Sequence, residues 1–228
     1  MLNQTFLDRL KKDYHIEFKN LDLLKQALTH SSYANEHPHW VGNYEKLEFL
    51  GDAVLELAIS DYLYRNFRDL HEGELTRFRS NIVRTEGFSK FAEELGLKDQ
   101  IFLGKGEENN GSRNRKALLE DVFEAFNGAL YLDQGMDKVV DFLKIAVFPH
   151  IQQGEFNSAR DYKSELQEQL QVNGSVEISY EVTNSVEVPP FFEVQLVING
   201  QKFTKGTGSS KKKASQEAAK KYLEQQED

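Results

Sequence analysis

The sequence predicts two domains, an all-α domain followed by a small α+β domain of order α-β-β-β-α. Apolar residues recur at helical spacing from the N-terminus to about residue 151. Alternation typical of strands occurs only in the C-terminal third of the chain. Between the two patterns, residues 152–160 are polar, contain glycine and lack periodicity, which is typical of a linker. The predicted domains are therefore 1–151 and 161–228.

The N-terminal domain is predicted to be built from helices separated by glycine- and asparagine-rich breakers. These helices span residues 5–12, 21–28, 44–67, 74–95, 115–132 and 136–151. The C-terminal domain is predicted to begin with a helix at 161–171, followed by strands at 177–183, 192–198 and 201–207. Asn199-Gly200 is a strong hairpin signal between the last two strands. Ser209 or Ser210 can cap a final helix that runs to about Leu223.

Composition excludes several classes of protein. The chain has no cysteine, so it has no disulfides, no thiolate metal sites and no cysteine nucleophile. No apolar run approaches the roughly 18 residues of a membrane span, and the first residues lack the basic start and cleavage site of a secretory signal. We therefore expect a cytoplasmic protein with no membrane partner.

Charge is distributed unevenly along the chain. The net charge is −9, yet residues 202–221 hold seven lysines and one glutamate, a local charge of +6. An acidic protein with one basic segment can bind a polyanion locally and can attract cations elsewhere. Total charge therefore does not exclude a nucleic-acid partner.

Two apolar stretches carry carboxylates at helical spacing. In residues 44–56, YEKLEFLGDAVLE, acidic residues recur every three or four positions, and Asp121 and Glu124 are three apart in a second stretch. Such pairs are usually solvated, and spacing alone leaves open whether the two helices meet. If they face each other, their oxygens would suit a hard divalent cation such as Mg²⁺, which can activate water for attack on a phosphate.

The stretch YEKLEFLGDAVL at residues 44–55 closely resembles the signature of the ribonuclease III family. Further similar segments are LTHSSYANE at 28–36, EGELT at 72–76, LGKGE at 103–107 and DVFEA at 121–125. The resemblance covers essentially the whole chain in the bacterial two-domain order. By motif match it assigns the family's four metal-binding carboxylates to Glu48, Asp52, Asp121 and Glu124. It assigns two further acidic positions of the catalytic centre to Glu45 and Glu72.

The activity implied by this resemblance is Mg²⁺-dependent hydrolysis of double-stranded RNA, with Mn²⁺ as a possible substitute and no small-molecule substrate. The family acts as a homodimer in which each subunit cuts one strand. The products carry 5′-phosphate and 3′-hydroxyl ends with a short 3′ overhang. The implied biological role is processing of ribosomal and messenger RNA and of other structured precursors.

The C-terminal domain resembles the double-stranded-RNA-binding domain. The segment GTGSSKKKA at 206–214 implies a helix whose start and lysines, Lys211, Lys212 and Lys213, face major-groove phosphates. The first helix of that domain is matched by DYKSELQE at 161–168, which places Gln167 and Glu168 at minor-groove contact positions. A loop histidine common in the family is missing from residues 185–190, so we expect weaker binding through this domain alone.

Four residues depart from the family pattern: Tyr44, Lys46, Glu120 and Asn127. They stand in place of the usual Asn, Arg, a small residue and an apolar residue, respectively, so we expect them to change efficiency rather than the reaction. Two other functions remain open: a catalytically idle double-stranded-RNA-binding regulator and an acidic helical interaction protein. Retention of all four carboxylates favours the enzyme over the first, and the lysine-led α-β-β-β-α segment disfavours the second.

Overall fold

The computed structural model of the chain describes residues 2–156, 162–171 and 176–227. The chain divides into two compact units, Met1–Ser158 and Ala159–Asp228. The first is helical and the second combines helices with a sheet, so the predicted fold class is confirmed. Within the described ranges, no helix combines the length and apolarity needed to cross a membrane.

The first unit is a bundle in which α-helices follow one another through residues 2–156. They are α1 (Gln4–Tyr14), α2 (Leu21–Ala27), α3 (Ser31–Glu36), α4 (Glu45–Asn66), α5 (Glu72–Val83), α6 (Thr85–Leu95), α7 (Lys105–Asn109), α8 (Lys116–Gln134), α9 (Met136–Ala146) and α10 (Phe148–Gln152). Short 3₁₀ turns lie at Lys98–Gln100 and Ser112–Asn114. Helix α8 runs through the centre of the unit, because its Leu119, Val122, Phe123 and Phe126 are all 0% exposed.

Two helices predicted from periodicity are each divided in two. The helix expected at 74–95 breaks at Arg84, whose ψ of 161° is extended and separates α5 from α6. Gly87 in the first turn of α6 packs against the Ile82 carbonyl at the end of α5, so the chain turns sharply there. The helix expected at 136–151 breaks at Val147, two residues before Pro149, which cannot continue a helical ladder. Periodicity persists across both breaks because the apolar side chains face the same core.

Part of the predicted linker packs on the helical unit. Phe156 is 9% exposed, and its ring centroid lies 5.7 Å from that of Phe91. Glu155 bonds to Lys90 and to His150 Nδ1. Residues 157–160 and Asp161, which was predicted to open the next helix, lie outside the described residues. The linker boundaries therefore stay a prediction.

The second unit consists of α11 (Tyr162–Gln171), β1 (Ile178–Val186), β2 (Phe191–Ile198), β3 (Gln201–Gly208) and α12 (Lys211–Glu227). The strands form an antiparallel sheet in the order β1-β2-β3. The predicted hairpin is confirmed at Asn199 and Gly200, which both have positive φ, as a primed two-residue turn requires. One face of the sheet buries Leu196 against Leu166 of α11 and Ala218 of α12.

Candidate functional site

Helix α4 begins where the backbone of Tyr44 is fixed from both sides. The Tyr44 amide donates to the carbonyl of Thr29 at 2.9 Å, and the Tyr44 carbonyl accepts from the amides of Leu47 and Glu48. Glu45 and Glu48 lie in the first turn of α4, where the positive end of the helix dipole favours carboxylates. Backbone hydrogen bonds within the protein therefore fix the start of α4.

Helices α4 and α8 cross at two glycines. A β carbon at Gly51 would overlap the carbonyl of Glu124, and one at Gly128 would overlap the carbonyl of Leu47. Only hydrogen side chains at 51 and 128 allow the two backbones to approach this closely. The crossing brings Glu48 and Asp52 of α4 near Asp121 and Glu124 of α8; these four residues are here termed the carboxylate cluster.

Electrostatic effects show that the members of the carboxylate cluster act on one another. Burial raises the pKa of Glu124 to about 8, with further contributions from the charges of Asp52, Glu120 and Glu48. Burial also raises the pKa of Glu48 to about 7, with help from the charges of Asp121 and Glu45. Both carboxyls therefore retain protons near neutral pH unless a cation compensates their charge.

Two neighbours of Asp121 oppose the effect of burial on its pKa. Burial raises the pKa of Asp121, while the hydrogen bond from Tyr44 and the nearby His30 favour its ionised form. The Tyr44 hydroxyl donates to Asp121 Oδ2 at 3.0 Å. Burial, followed by the charge of Asp121, raises the pKa of Tyr44 above its ordinary range, so the hydroxyl keeps its proton and acts as the donor.

The cluster is accessible, and its donors suit a hard cation. Asp52 is exposed, while Glu48, Asp121 and Glu124 are half-buried. In the described part of the chain, no three His, Asp or Glu side chains are arranged closely enough to hold a metal ion as they stand. The donors are nevertheless all carboxylate oxygens, the ligand type of Mg²⁺ and Mn²⁺. A bound divalent cation would offset the repulsion among these carboxylates.

The two further predicted acidic residues are placed differently. Glu45 is exposed at the start of α4, and its charge acts on Glu48. Glu72 begins α5, where its Oε1 accepts a hydrogen bond from Thr76 at 3.1 Å, and it lines a groove together with Tyr64 and Arg79. Glu72 is not among the charges that raise the pKa of Glu48 or Glu124. Within one chain, the structure thus joins Glu45 to the cluster but not Glu72.

The departures from the family pattern identify two residues that motif matching did not assign to the site. Tyr44 reaches Asp121, and Glu120 adds a carboxylate whose charge acts on both Glu48 and Glu124. Buried Asn127 is accommodated by donating from Nδ2 to the carbonyl of Phe123 at 2.8 Å. Position was the available signal, because Tyr44 is the first residue of the signature stretch and Glu120 adjoins Asp121.

The predicted RNA-binding residues of the second unit are all at its surface. Gln167 and Glu168 are exposed on α11, and Lys211, Lys212 and Lys213 are exposed in the first turn of α12. A β carbon at Gly206 would overlap the Ala214 carbonyl, so strand β3 packs directly against α12. The Lys213 amide donates to Ser210 Oγ at 3.3 Å, which confirms Ser210 as a cap for this helix. The lysine run is therefore held at an exposed helix N-terminus.

Comparison with known proteins identifies both units. Residues 20–151 match the family model described as Ribonuclease-III-like, and residues 162–226 match the double-stranded RNA binding motif. Ribonuclease 3 of Lactobacillus johnsonii is 62% identical over 224 residues, 98% of this chain and 99% of that protein. Ribonuclease 3 of Listeria monocytogenes strain EGD-e is 48% identical over 217 residues, 93% of this chain and 94% of that protein.

The helical unit also resembles a solved structure. A nuclease-domain structure of ribonuclease III from Campylobacter jejuni matches with a TM-score of 0.56 and 37% identity, covering 61% of this chain and 95% of that one. The sequence matches extend over nearly the full length of the chain, and the structural match covers the unit that holds the carboxylate cluster. The chain therefore belongs to the ribonuclease III family of endoribonucleases and carries a double-stranded RNA binding motif after its nuclease unit.

Proposed function

We propose that this endoribonuclease hydrolyses phosphodiester bonds of double-stranded RNA with Mg²⁺ bound by the carboxylate cluster. Its products are 5′-phosphate and 3′-hydroxyl ends with a short 3′ overhang. The supporting observation is that α4 and α8 bring the cluster together at their glycine crossing. Burial and mutual repulsion raise the pKa of Glu48 to about 7 and that of Glu124 to about 8. Partly buried carboxylates that repel one another are suited to take a counter-charge from a divalent cation.

The residues of the chain bind the cation and orient the site. When bound, Mg²⁺ supplies a more acidic water and neutralises charge that develops on the phosphate. Glu48 and Glu124 would hold the cation and would release their protons near neutral pH when it binds, because their pKa values are raised to about 7 and about 8. Burial raises the pKa of Asp121, and the hydrogen bond from Tyr44 and the nearby His30 partly offset this effect. Glu45 adds negative charge at the edge of the cluster. Glu72 is proposed as a further acidic group of the catalytic centre, although within a single chain it lies outside the cluster.

The second unit supplies affinity for the duplex. Lys211, Lys212 and Lys213 project from the start of α12, where backbone amides and lysine charges favour phosphates together. Gln167 and Glu168 are exposed on α11 and are proposed to contact the minor groove. This division places retention of RNA mainly in one unit and cleavage in the other.

We further propose that the enzyme is a homodimer joined along α4. Phe49, Leu57 and Tyr64 are 82%, 63% and 75% exposed, and their spacing places them on one face of α4. A row of large exposed apolar side chains is typical of an interface rather than of a solvated helix. The Campylobacter jejuni nuclease domain has a region involved in dimer formation. Two copies would supply one cluster for each strand of the duplex.

The proposed biological role is processing of ribosomal, messenger and other structured RNA precursors in the cytoplasm. The family resemblance implies this role, and the absence of cysteine suits a reducing compartment. Mn²⁺ is proposed as a substitute for Mg²⁺, because it accepts the same oxygen ligands.

The test uses one defined RNA duplex, labelled at both 3′ ends, incubated with Mg²⁺, with EDTA or with Ca²⁺. Cleavage only with Mg²⁺, at sites offset on the two strands and with 5′-phosphates on the new ends, supports the proposal. A gel shift without cleavage under any ion would instead identify a catalytically idle RNA-binding regulator. If the protein neither binds nor cleaves the duplex, an acidic interaction protein is the function that remains.

A further inference from the structure

We propose that Tyr44 is a positioning residue, whose hydroxyl holds the Asp121 carboxylate in the orientation in which it binds the metal ion. This inference rests on the proposed function, because it takes Asp121 as a ligand. Tyr44 itself is not a ligand in this proposal. It acts through Asp121, which lies 77 positions later in the sequence.

The Tyr44 ring is held firmly enough to serve this role. Its backbone is fixed by Thr29 on one side and by the first turn of α4 on the other. The residue is 7% exposed and belongs to the core of the helical unit. Its ring centroid lies 5.8 Å from that of His30, and the His30 amide donates to the Phe102 carbonyl at 3.0 Å. The hydroxyl therefore projects from a side chain whose position does not depend on a bound ligand.

The hydroxyl is committed to Asp121. Tyr44 precedes α4 but makes no side-chain capping bond to it. Its Oη instead donates to Asp121 Oδ2 at 3.0 Å, which is hydrogen-bonding distance for two oxygens. This bond restricts rotation of the carboxylate about its Cβ–Cγ bond. Ligating carboxylates are commonly held in this way by a hydrogen-bond donor, and loss of such a donor typically costs about 10- to 100-fold in metal affinity or activity.

The same unit offers a matched control in Tyr62. It lies later on α4, and its ring stacks on that of Phe148 with centroids 3.8 Å apart. Its hydroxyl is buried and finds no hydrogen-bond partner within the described ranges of the chain. Tyr44→Phe and Tyr62→Phe each delete one buried hydroxyl from the same helical unit. Only the first deletion removes a bond to the carboxylate cluster.

The test measures Mn²⁺ affinity of the full-length protein without RNA, by electron paramagnetic resonance of free Mn²⁺. We expect Tyr44→Phe to raise the dissociation constant about tenfold and Tyr62→Phe to leave it unchanged. In the cleavage assay, the Mg²⁺ concentration at half-maximal rate should rise in parallel for Tyr44→Phe. A purely structural role would lower the unfolding temperature without moving either metal titration. An unchanged Mn²⁺ affinity in folded Tyr44→Phe overturns the inference.

Asp121→Asn separates failure of the inference from failure of the proposed function. If that variant binds Mn²⁺ and cleaves like the parent protein, Asp121 is not a ligand, so the inference falls together with the proposed four-carboxylate metal site, while the cleavage activity stands. If it loses both properties while Tyr44→Phe keeps them, only the positioning role falls. In the double variant, Tyr44→Phe should add almost nothing to the loss caused by Asp121→Asn, because the two changes remove one linked interaction. Full additivity of the two losses would contradict the inference.

Discussion

Gly51 of α4 lies directly against the backbone carbonyl of Glu124 in α8, with no room for a β carbon between them. The same packing recurs one turn away, where Gly128 of α8 meets the carbonyl of Leu47. The glycines therefore set the distance between the two helices that carry the carboxylate cluster.

Glu124→Gln should abolish cleavage and leave RNA binding nearly unchanged. Loss of a residue that only supports a ligand already costs about 10- to 100-fold, so loss of a ligand should lower kcat more than about 100-fold. Single-turnover cleavage and a filter-binding titration measure the two properties separately. Glu56→Gln is the control, because Glu56 lies on α4 but is not among the charges that raise the pKa of Glu124. Parental cleavage by Glu124→Gln would exclude Glu124 as a ligand.

Without divalent cations, the free energy of unfolding should fall as pH rises. The Glu124 carboxyl has an ordinary pKa of 4.5 and a folded-state pKa of about 8. Between these values the folded protein binds a proton that the unfolded chain has released, so stability declines with increasing pH. Glu124→Gln removes this penalty and should stabilise the EDTA-treated protein at pH 8.5 by about 1 kcal/mol, allowing for solvent screening.

That stability effect is measured by urea unfolding of parent and variant at pH 5 and pH 8.5. The variant's advantage should be present at pH 8.5 and absent at pH 5, where the parent carboxyl is already protonated. Added Mg²⁺ should stabilise the parent more than the variant, because the cation binds the folded state. Equal urea midpoints of parent and variant at pH 8.5 in EDTA would show that folding does not raise the pKa of Glu124 as described.

Glu120→Ala should weaken metal binding without stopping the reaction. The charge of Glu120 acts on both Glu48 and Glu124. Removing one charge near a partly solvated site should raise the Mn²⁺ dissociation constant about three- to fivefold. The rate at saturating Mg²⁺ should stay within about twofold of the parent. Glu56→Ala removes the same charge from α4 as a control, and an equal effect of both changes would argue against a specific role.

Lys211→Ala with Lys212→Ala should weaken duplex binding and flatten its salt dependence. Each lysine that contacts a phosphate releases about one counterion, so the double change should lower the salt slope by about one to two units. Lys220→Ala with Lys221→Ala removes the same charge further along α12, where these lysines pair with Glu224 and Glu217. RNA-binding titrations at several KCl concentrations between about 50 and 300 mM give the slope of log affinity against log salt concentration. An unchanged slope for the first pair would remove the start of α12 from the interface.

Leu57→Glu should convert the proposed dimer to monomers. A charge placed at a residue that is 63% exposed in one chain costs little in the monomer but must be desolvated in the dimer. Sedimentation velocity should therefore show a halved mass, with unchanged helix content by circular dichroism. Leu21→Glu is the control, because Leu21 is also exposed, at 42%, but begins α2 rather than lying on the α4 row. A Leu57→Glu protein that stays dimeric would place the interface elsewhere.

The sequence by itself determined the fold class, the hairpin at Asn199-Gly200 and the identity of the candidate ligands. These features depend on local chemistry: periodicity selects helix or strand, positive φ selects Asn and Gly, and a specific motif marks the carboxylates. Tertiary structure decided the breaks at Arg84 and Val147, because apolar periodicity continues through a kink when both helices face one core. It also decided that Tyr44 and Glu120 join the carboxylate cluster. Spacing along one chain segment describes a helix face, whereas the approach of two helices depends on how closely their backbones can pack at Gly51 and Gly128.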